Sequence, residues 1–427
     1  MRQKIISLID KVYFKIFRTP ATPEVQKFAL GLGWIFVGTI LSKFLLLIIQ
    51  VLGGRFLGES LYGEFNLIYS IGSVLIIPIS LGIGYAMIRF LAEENREDQR
   101  KELISTFAIF TFISLIIWTV IYYVFKGQIS SILGVRIDLF VLAIFFASLM
   151  ILQSNTENIL QGLHRMRELS IVMFLSHLTM FGLFFWLYLR LQPNILLMFL
   201  PYLLQYFIAL VISVPYFLRY LSFRFNKHLF QRLMGFGFFS LIIHIVTVTQ
   251  GMIDQLMLNH YINSSGVGLY AAYYTSTIAL VGIISNIFLK VFFPTVSRYS
   301  DKKSILLRLN KIIRIGSVII IIVIPLVSFI LINLYDYLIS YKLICLFTVA
   351  AVIDFILVGY VGLLNSTDLK GVRFASIGVG IAFMINVGLN VILIPAYEVT
   401  GAIIATDVSM LFLLGFVYIG LKSKIKE

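Results

Sequence analysis

Lys43 stands about twelve positions inside an apolar run, Gly31 to Gly53, that is long enough to cross a bilayer. At ~1.5 Å of rise per residue its position lies roughly 15 to 18 Å from either end of the run, deeper than a lysine stem can snorkel. The charge must therefore face protein, water or an anionic ligand. A second constellation is a polar stripe, because at 100° per residue His244, Thr247, Gln250 and Asp254 fall within about 120° of arc. Such a face offers the donors and acceptors a sugar requires and is expected to look into a cleft. Asp254 has two open readings, as a site for a coupling H⁺ or Na⁺ or as the ion-pair partner of a cation on a facing helix. Asp354 and Asp407 lie mid-way along later apolar runs and are further coupling candidates; a lone buried aspartate can equally be held neutral. Asn386 and Asn390, four apart, suit helix-to-helix hydrogen bonding.

Three more cations, Arg55 outside and Arg89 and Lys290 near the cytoplasmic mouth, the last inside a span, describe with Lys43 a path for negative charge. The plainer reading gives Arg55 and Arg89 to lipid phosphates and lets Lys290 snorkel. Catalytic signals are missing from the sequence: there is no GxxxxGK[ST] loop, no HExxH and no Cys/His cluster. No enzyme, metal site or organic cofactor is expected. The one cysteine, Cys345, excludes an intramolecular disulfide.

The elements that must position these residues are membrane spans. The chain has 427 residues, is 60% hydrophobic and 13% charged, and has a mean hydropathy of +0.98. That composition describes an all-α polytopic membrane protein. Apolar windows fall at roughly 31–53, 63–88, 104–125, 139–159, 169–189, 194–218, 235–259, 266–294, 315–334, 343–365, 374–395 and 399–421. Twelve transmembrane helices place both termini on one side. Most of the 34 Lys and Arg residues lie on that side, and only Arg55, Lys126, Arg136, Arg190 and Lys342 lie on the other, so both termini are read as cytoplasmic. The formal charge of +14 is thereby read as topology and contact with anionic membrane lipids, and no nucleic-acid partner is expected.

The chain divides into a basic N-terminal segment (1–30), a first lobe (31–218), a linker (219–234), a second lobe (235–421) and a tail (422–427). Within the first segment, the alternation of apolar and charged residues from Lys4 to Phe17 suits a short helix on the inner leaflet, ended by Pro20 and Pro23. The two lobes repeat at an offset of about 205 residues: Phe56, Gly63, Phe65 and Tyr69 match Tyr261, Gly268, Tyr270 and Tyr274. The paired glycines are read as sharp turns into each lobe's second span, and the aromatics as interfacial belt residues. Six spans per lobe make the lobes parallel repeats about a pseudo-two-fold axis along the membrane normal, an arrangement suited to alternating access.

Arg55-Phe56-Leu57-Gly58, Tyr62-Gly63, Ser70, and Gly82-Ile83-Gly84 ahead of Arg89 resemble the opening signature of the polysaccharide-biosynthesis flippases. These belong to the multidrug, oligosaccharidyl-lipid and polysaccharide exporter superfamily. Asp254, Val267-Gly268-Leu269-Tyr270, Phe293-Pro294 and Gly401-Ala402 are similar to that family's second-half landmarks. The resemblance implies a flippase of lipid-linked oligosaccharides at the cell membrane, with glycan polymerases or glycosyltransferases as neighbours. A cation-coupled multidrug exporter and a membrane-embedded glycan polymerase are the alternatives. Lys43 argues against the first, and the lack of a long external loop against the second.

Overall fold

The computed structural model describes residues 23–222, 224–285, 302–365 and 369–426; side chains over 23–37 and 238–250, and at residues 302, 369–370, 372 and 424–426, lie outside that description. Every regular element among the described residues is helical. Nine segments of them are long and apolar enough to cross a membrane. Two are too long for one crossing: Gly38–Ser80 has 43 residues and Arg373–Ser423 has 51. At ~1.5 Å per residue they would measure roughly 65 and 77 Å against ~30 Å of hydrocarbon. Each is broken by a non-helical residue, Gly58 (φ 71°) in the first and Glu398 (φ 51°) in the second. The breaks fall where the sequence reading separates spans.

In chain order the helices are α1 (Pro23–Ser80), α2 (Ile83–Glu93), α3 (Glu97–Val124), α4 (Lys126–Leu133), α5 (Ile137–Gly162), α6 (Met166–Tyr188) and α7 (Leu196–Phe217). The second half holds α8 (Lys227–Tyr261), α9 (Ser264–Ser276), α10 (Lys302–Tyr335), α11 (Tyr341–Asn365) and α12 (Leu369–Lys426). Helix α8 starts at Asn226, whose side chain accepts from the N–H groups of His228 and Leu229 at 3.0 and 3.2 Å. Asn263 likewise caps α9 through the Gly266 N–H at 3.1 Å.

The apolar core is distributed unevenly between the two ends of the bundle. Its largest cluster runs unbroken from the first half to the second, joining Ile49, Tyr62 and Phe65 to Val267, Tyr270, Tyr335 and Phe347. Toward the end that carries the basic loops, the described core residues fall into separate clusters. One cluster there combines α2 and α3 with Leu233 at the start of α8. Another, from Leu309 to Leu421, lies wholly within the second half.

Where the halves meet, α1 and α9 approach backbone to backbone. A Cβ at Gly63 would collide with the Ser264 carbonyl, and one at Gly268 with the Glu59 carbonyl. The reading of these glycines as turns is thus corrected. Both lie inside helices, the turn falls at Gly58, and the repeat-matched pair is small because the two helices touch there. The belt reading of Tyr270 is corrected too, since it is 1% exposed and inside the core.

Gly268→Val is expected to lower thermal stability in detergent by about 1 to 3 kcal/mol or more, because the neighbour it meets is backbone and cannot yield. Gly388→Ala, which meets nothing within 4 Å, is expected to leave the melting temperature near wild type.

Candidate functional site: a buried carboxylate cage and a tyrosine seam

Asp254 on α8 is fully buried, at 0% exposure. Its Oδ2 accepts from the Tyr270 hydroxyl at 2.8 Å and from Thr406 Oγ1 at 2.7 Å, and its Oδ1 accepts from Asn390 Nδ2 at 2.6 Å. A second tier locks the donors. Asn390 Nδ2 also donates to Asn386 Oδ1 at 3.1 Å, and Asn386 Nδ2 donates to Thr406 Oγ1 at 3.2 Å. The groups bonded to Asp254 are therefore neutral and come from α9 and both helical parts of α12. One oxygen at the cage, Asn390 Oδ1, has no hydrogen-bond partner among the described residues, and neither has Asp407 Oδ1, which follows Thr406 in sequence. Asn386 and Asn390 do link helices, as their spacing suggests.

The second polar arrangement closes the contact between the halves. Tyr62 donates to Gln50 Oε1 at 2.7 Å, and its hydroxyl lies 3.2 Å from that of Tyr335 on α10. Gln50 Nε2 donates to the Tyr202 hydroxyl of α7. Tyr337 donates to the Gly54 carbonyl at 3.0 Å, and Ser60 and Ser264 pair across the halves with 3.2 Å between their hydroxyls. Farther along α1, Ser70 donates to Gln255 Oε1 at 2.7 Å. Lys43, Leu47, Gln50 and Gly54 lie within about 60° of arc on α1, so the lysine shares the helix face whose end meets Tyr335. Lys43 is half-buried and is a Coulombic neighbour of His177 on α6, whose Nδ1 lies 2.8 Å from the Met173 carbonyl.

A family model described as "Polysaccharide biosynthesis protein" matches residues 28–300. The chain belongs to that family. Its fold is that of transporters in the multidrug, oligosaccharidyl-lipid and polysaccharide (MOP) superfamily. It is similar to an inward-facing multidrug resistance MATE transporter of the superfamily, at 14% identity over 91% of this chain and 96% of that one, with a TM-score of 0.67. An outward-facing MATE transporter gives 13% identity over 93% and 95%, with a TM-score of 0.57. The lipid II flippase MurJ in an inward closed conformation gives 14% identity over 91% and 87%, with a TM-score of 0.59. No curated protein sequence matches the chain significantly.

Within this polysaccharide biosynthesis protein the sequence candidates scatter. Asp254 is packed between helices, which corrects the expectation that its face of α8 opens to a cleft at that point. The side chains of His244, Thr247 and Gln250, and all of Lys290, lie outside the described residues. Arg55 is exposed. Arg89 is exposed as well, with its Nε donating to Glu93 at 3.1 Å and its guanidinium 5.0 Å from the centre of the Phe236 ring. Asp354 is half-buried and a Coulombic neighbour of Tyr274, and Asp407 is buried next to Thr406 in sequence. Sequence reasoning missed Thr406, Gln50, Tyr62, Tyr202 and Tyr335. Gln50 left a signal, as a polar residue two turns from Lys43 in the same apolar run.

Thr406→Val keeps the side-chain shape while depriving Asp254 of a donor and Asn386 of an acceptor. It is expected to cost about 1 to 3 kcal/mol in thermal unfolding, whereas Val408→Thr, at an exposed neighbour, is expected to be near neutral.

Proposed function

We propose that this protein is a secondary carrier that moves a polyprenyl-pyrophosphate-linked oligosaccharide from the cytoplasmic to the external leaflet by alternating access. The observation that carries this reading is the asymmetric core: one apolar cluster bridges the halves at the seam, whereas toward the basic end, among the described residues, the first half's cluster reaches only the start of α8 and the second half keeps one of its own. With both termini cytoplasmic, this is a carrier closed outside and divided inside. Twelve helices form two lobes of six about a pseudo-two-fold axis along the membrane normal. Support comes from the breaks at Gly58 and Glu398 and from the meeting of repeat-matched Gly63 and Gly268. The greater likeness to an inward-facing than to an outward-facing relative agrees with the same state.

The cargo follows from charge. A pyrophosphate-linked glycan must carry at least two negative charges across ~30 Å of hydrocarbon while its lipid tail stays in the bilayer. Lys43 on the seam-facing stripe offsets part of that charge, and Arg55 and Arg89 lie toward the two mouths. Anionic lipids bind the basic cytoplasmic loops, and glycan polymerases or glycosyltransferases supply and consume the cargo. The competing reading, a cation-coupled drug exporter, calls for acids exposed in the cleft. Asp254 is fully buried instead. Its oxygen-lined cage is the proposed coupling site for H⁺ or Na⁺, with Asp407 and Asp354 as further acids on neighbouring helices.

In proteoliposomes, Lys43→Ala and Lys43→Glu are expected to abolish flipping of the lipid-linked glycan at normal protein levels, and Lys43→Arg to retain part of it. Loss of one phosphate contact should weaken apparent affinity at least about tenfold, on the order of 1.5 to 3 kcal/mol. Wild-type transport per folded Lys43→Ala molecule would overturn the anionic cargo.

Imposed Na⁺ and proton gradients separate the two coupling ions. One of them is expected to accelerate wild-type flipping, and Asp254→Asn to remove that acceleration while leaving downhill movement. An Asp254→Asn protein that still responds to the gradient would exclude the cage as the coupling site.

A further inference from the structure

The polar part of the outer seam is a directed chain of hydrogen bonds. Gln50 Nε2 donates to the Tyr202 hydroxyl, and Gln50 Oε1 accepts from Tyr62 at 2.7 Å. With the Tyr62 hydrogen so used, Tyr335, 3.2 Å away, must donate to Tyr62. The chain therefore runs from α10 of the second lobe, through both helical parts of α1, to α7. Each bond polarises the next, so removing one member weakens the others. Tyr62 and Tyr335 are both 0% exposed, so a hydroxyl left unpaired there bears the full penalty of desolvation.

Gln50 differs from the other members by its position. It is half-buried, and seven residues on from Lys43 it lies about 20° away on the same helix face. Its amide offers two N–H groups and two lone pairs, and the chain uses one of each. A phosphate oxygen held by Lys43 is an ionised acceptor and makes a hydrogen bond about twice as strong as a neutral hydroxyl does. It can therefore draw the Gln50 amide away from the tyrosines.

We infer that Gln50 is a positioning residue that joins the cargo face of the cleft to the outer seam. In the unloaded carrier it fixes the Tyr62 hydroxyl where Tyr335 can bond to it. When a phosphate or sugar oxygen of cargo on the Lys43 face takes its amide, Tyr62 loses its acceptor and the seam loosens toward the outward-open state. The release step rests on the proposed function, whereas the tie between Gln50 and the seam stands on geometry alone.

The hydroxyls of Ser60 and Ser264, 3.2 Å apart, provide a reporter of closure. Ser60→Cys and Ser264→Cys in a Cys345→Ala background are expected to form a disulfide in the closed state, read as cross-linking yield in lipid nanodiscs. Gln50→Leu, and separately Tyr62→Phe, are expected to lower that yield roughly three- to tenfold, and the two together no further than the larger single effect. Tyr337→Phe removes a bond outside the chain, to the Gly54 carbonyl, and its effect is expected to multiply with that of Gln50→Leu. Gln50→Glu, which keeps the acceptor for Tyr62, is expected to restore the yield. Polyprenyl pyrophosphate is expected to lower the yield in the Gln50 protein and not in the Gln50→Glu variant, while the matching polyprenol changes neither.

An unchanged yield in a folded Gln50→Leu protein, or effects of Gln50→Leu and Tyr62→Phe that multiply, would overturn the role of Gln50. A non-additive pair with no response to polyprenyl pyrophosphate would overturn the release step and count against the proposed cargo instead.

Discussion

The contact between Gly63 and Gly268 sets the geometry of everything around it. Two helices can bring their backbones together only where neither carries a side chain, and here each glycine faces a carbonyl of the other helix, those of Ser264 and Glu59. In lipid there is no hydrophobic drive to bring helices together, so close van der Waals packing and interhelical hydrogen bonds supply the association. The glycine pair provides the first and creates the second. It brings Ser60 to Ser264, and the same junction holds Tyr62 beside Tyr335 and Tyr337 under the Gly54 carbonyl. These bonds are few and made largely by hydroxyls, and their tyrosines lie within the apolar cluster that bridges the halves.

Away from that joint, the buried polar groups obey one rule. A carboxylate or hydroxyl in a water-poor interior must find partners or leave the structure weakened. Asp254 does so with three neutral donors from two helices, and the asparagines that supply and brace them lie four residues apart on α12. The partnerless Asn390 Oδ1 adds acceptor capacity beside the carboxylate. Such a cage is held from several sides, and a change in charge at its centre would disturb every bond in it. Its members on α8, α9 and α12 belong to the second half, whereas the tyrosine chain crosses between halves. A change at the cage can reach the seam through α9, which contributes Tyr270 to one and Gly268 to the other.

The uneven core gives this arrangement a direction. Among the described residues, apolar packing is continuous across the halves where the glycines meet, and where the basic loops lie it crosses only to the start of α8. Parting the halves at the seam would break hydroxyl bonds, one backbone contact and the apolar packing of the largest cluster.

The sequence alone determined the membrane class and most span boundaries, and it placed Asp254 and Lys43 inside apolar runs. These follow from local physics: the length of apolar runs, the expense of charge in hydrocarbon, and the bias of cations toward one face. It also marked Gly63 and Gly268 as related, yet assigned them to turns, because glycine serves both turns and close approach and nothing local tells the two apart. Only the tertiary structure decided that these glycines face each other and that the turn falls at Gly58. The same holds for Tyr270, which looked like an interfacial aromatic until packing placed its hydroxyl on Asp254. Partners separated by 136 to 152 residues, as Asn390 and Thr406 are from Asp254, leave no periodicity to read. Helix periodicity specifies which face a residue occupies, and only folding specifies what that face meets.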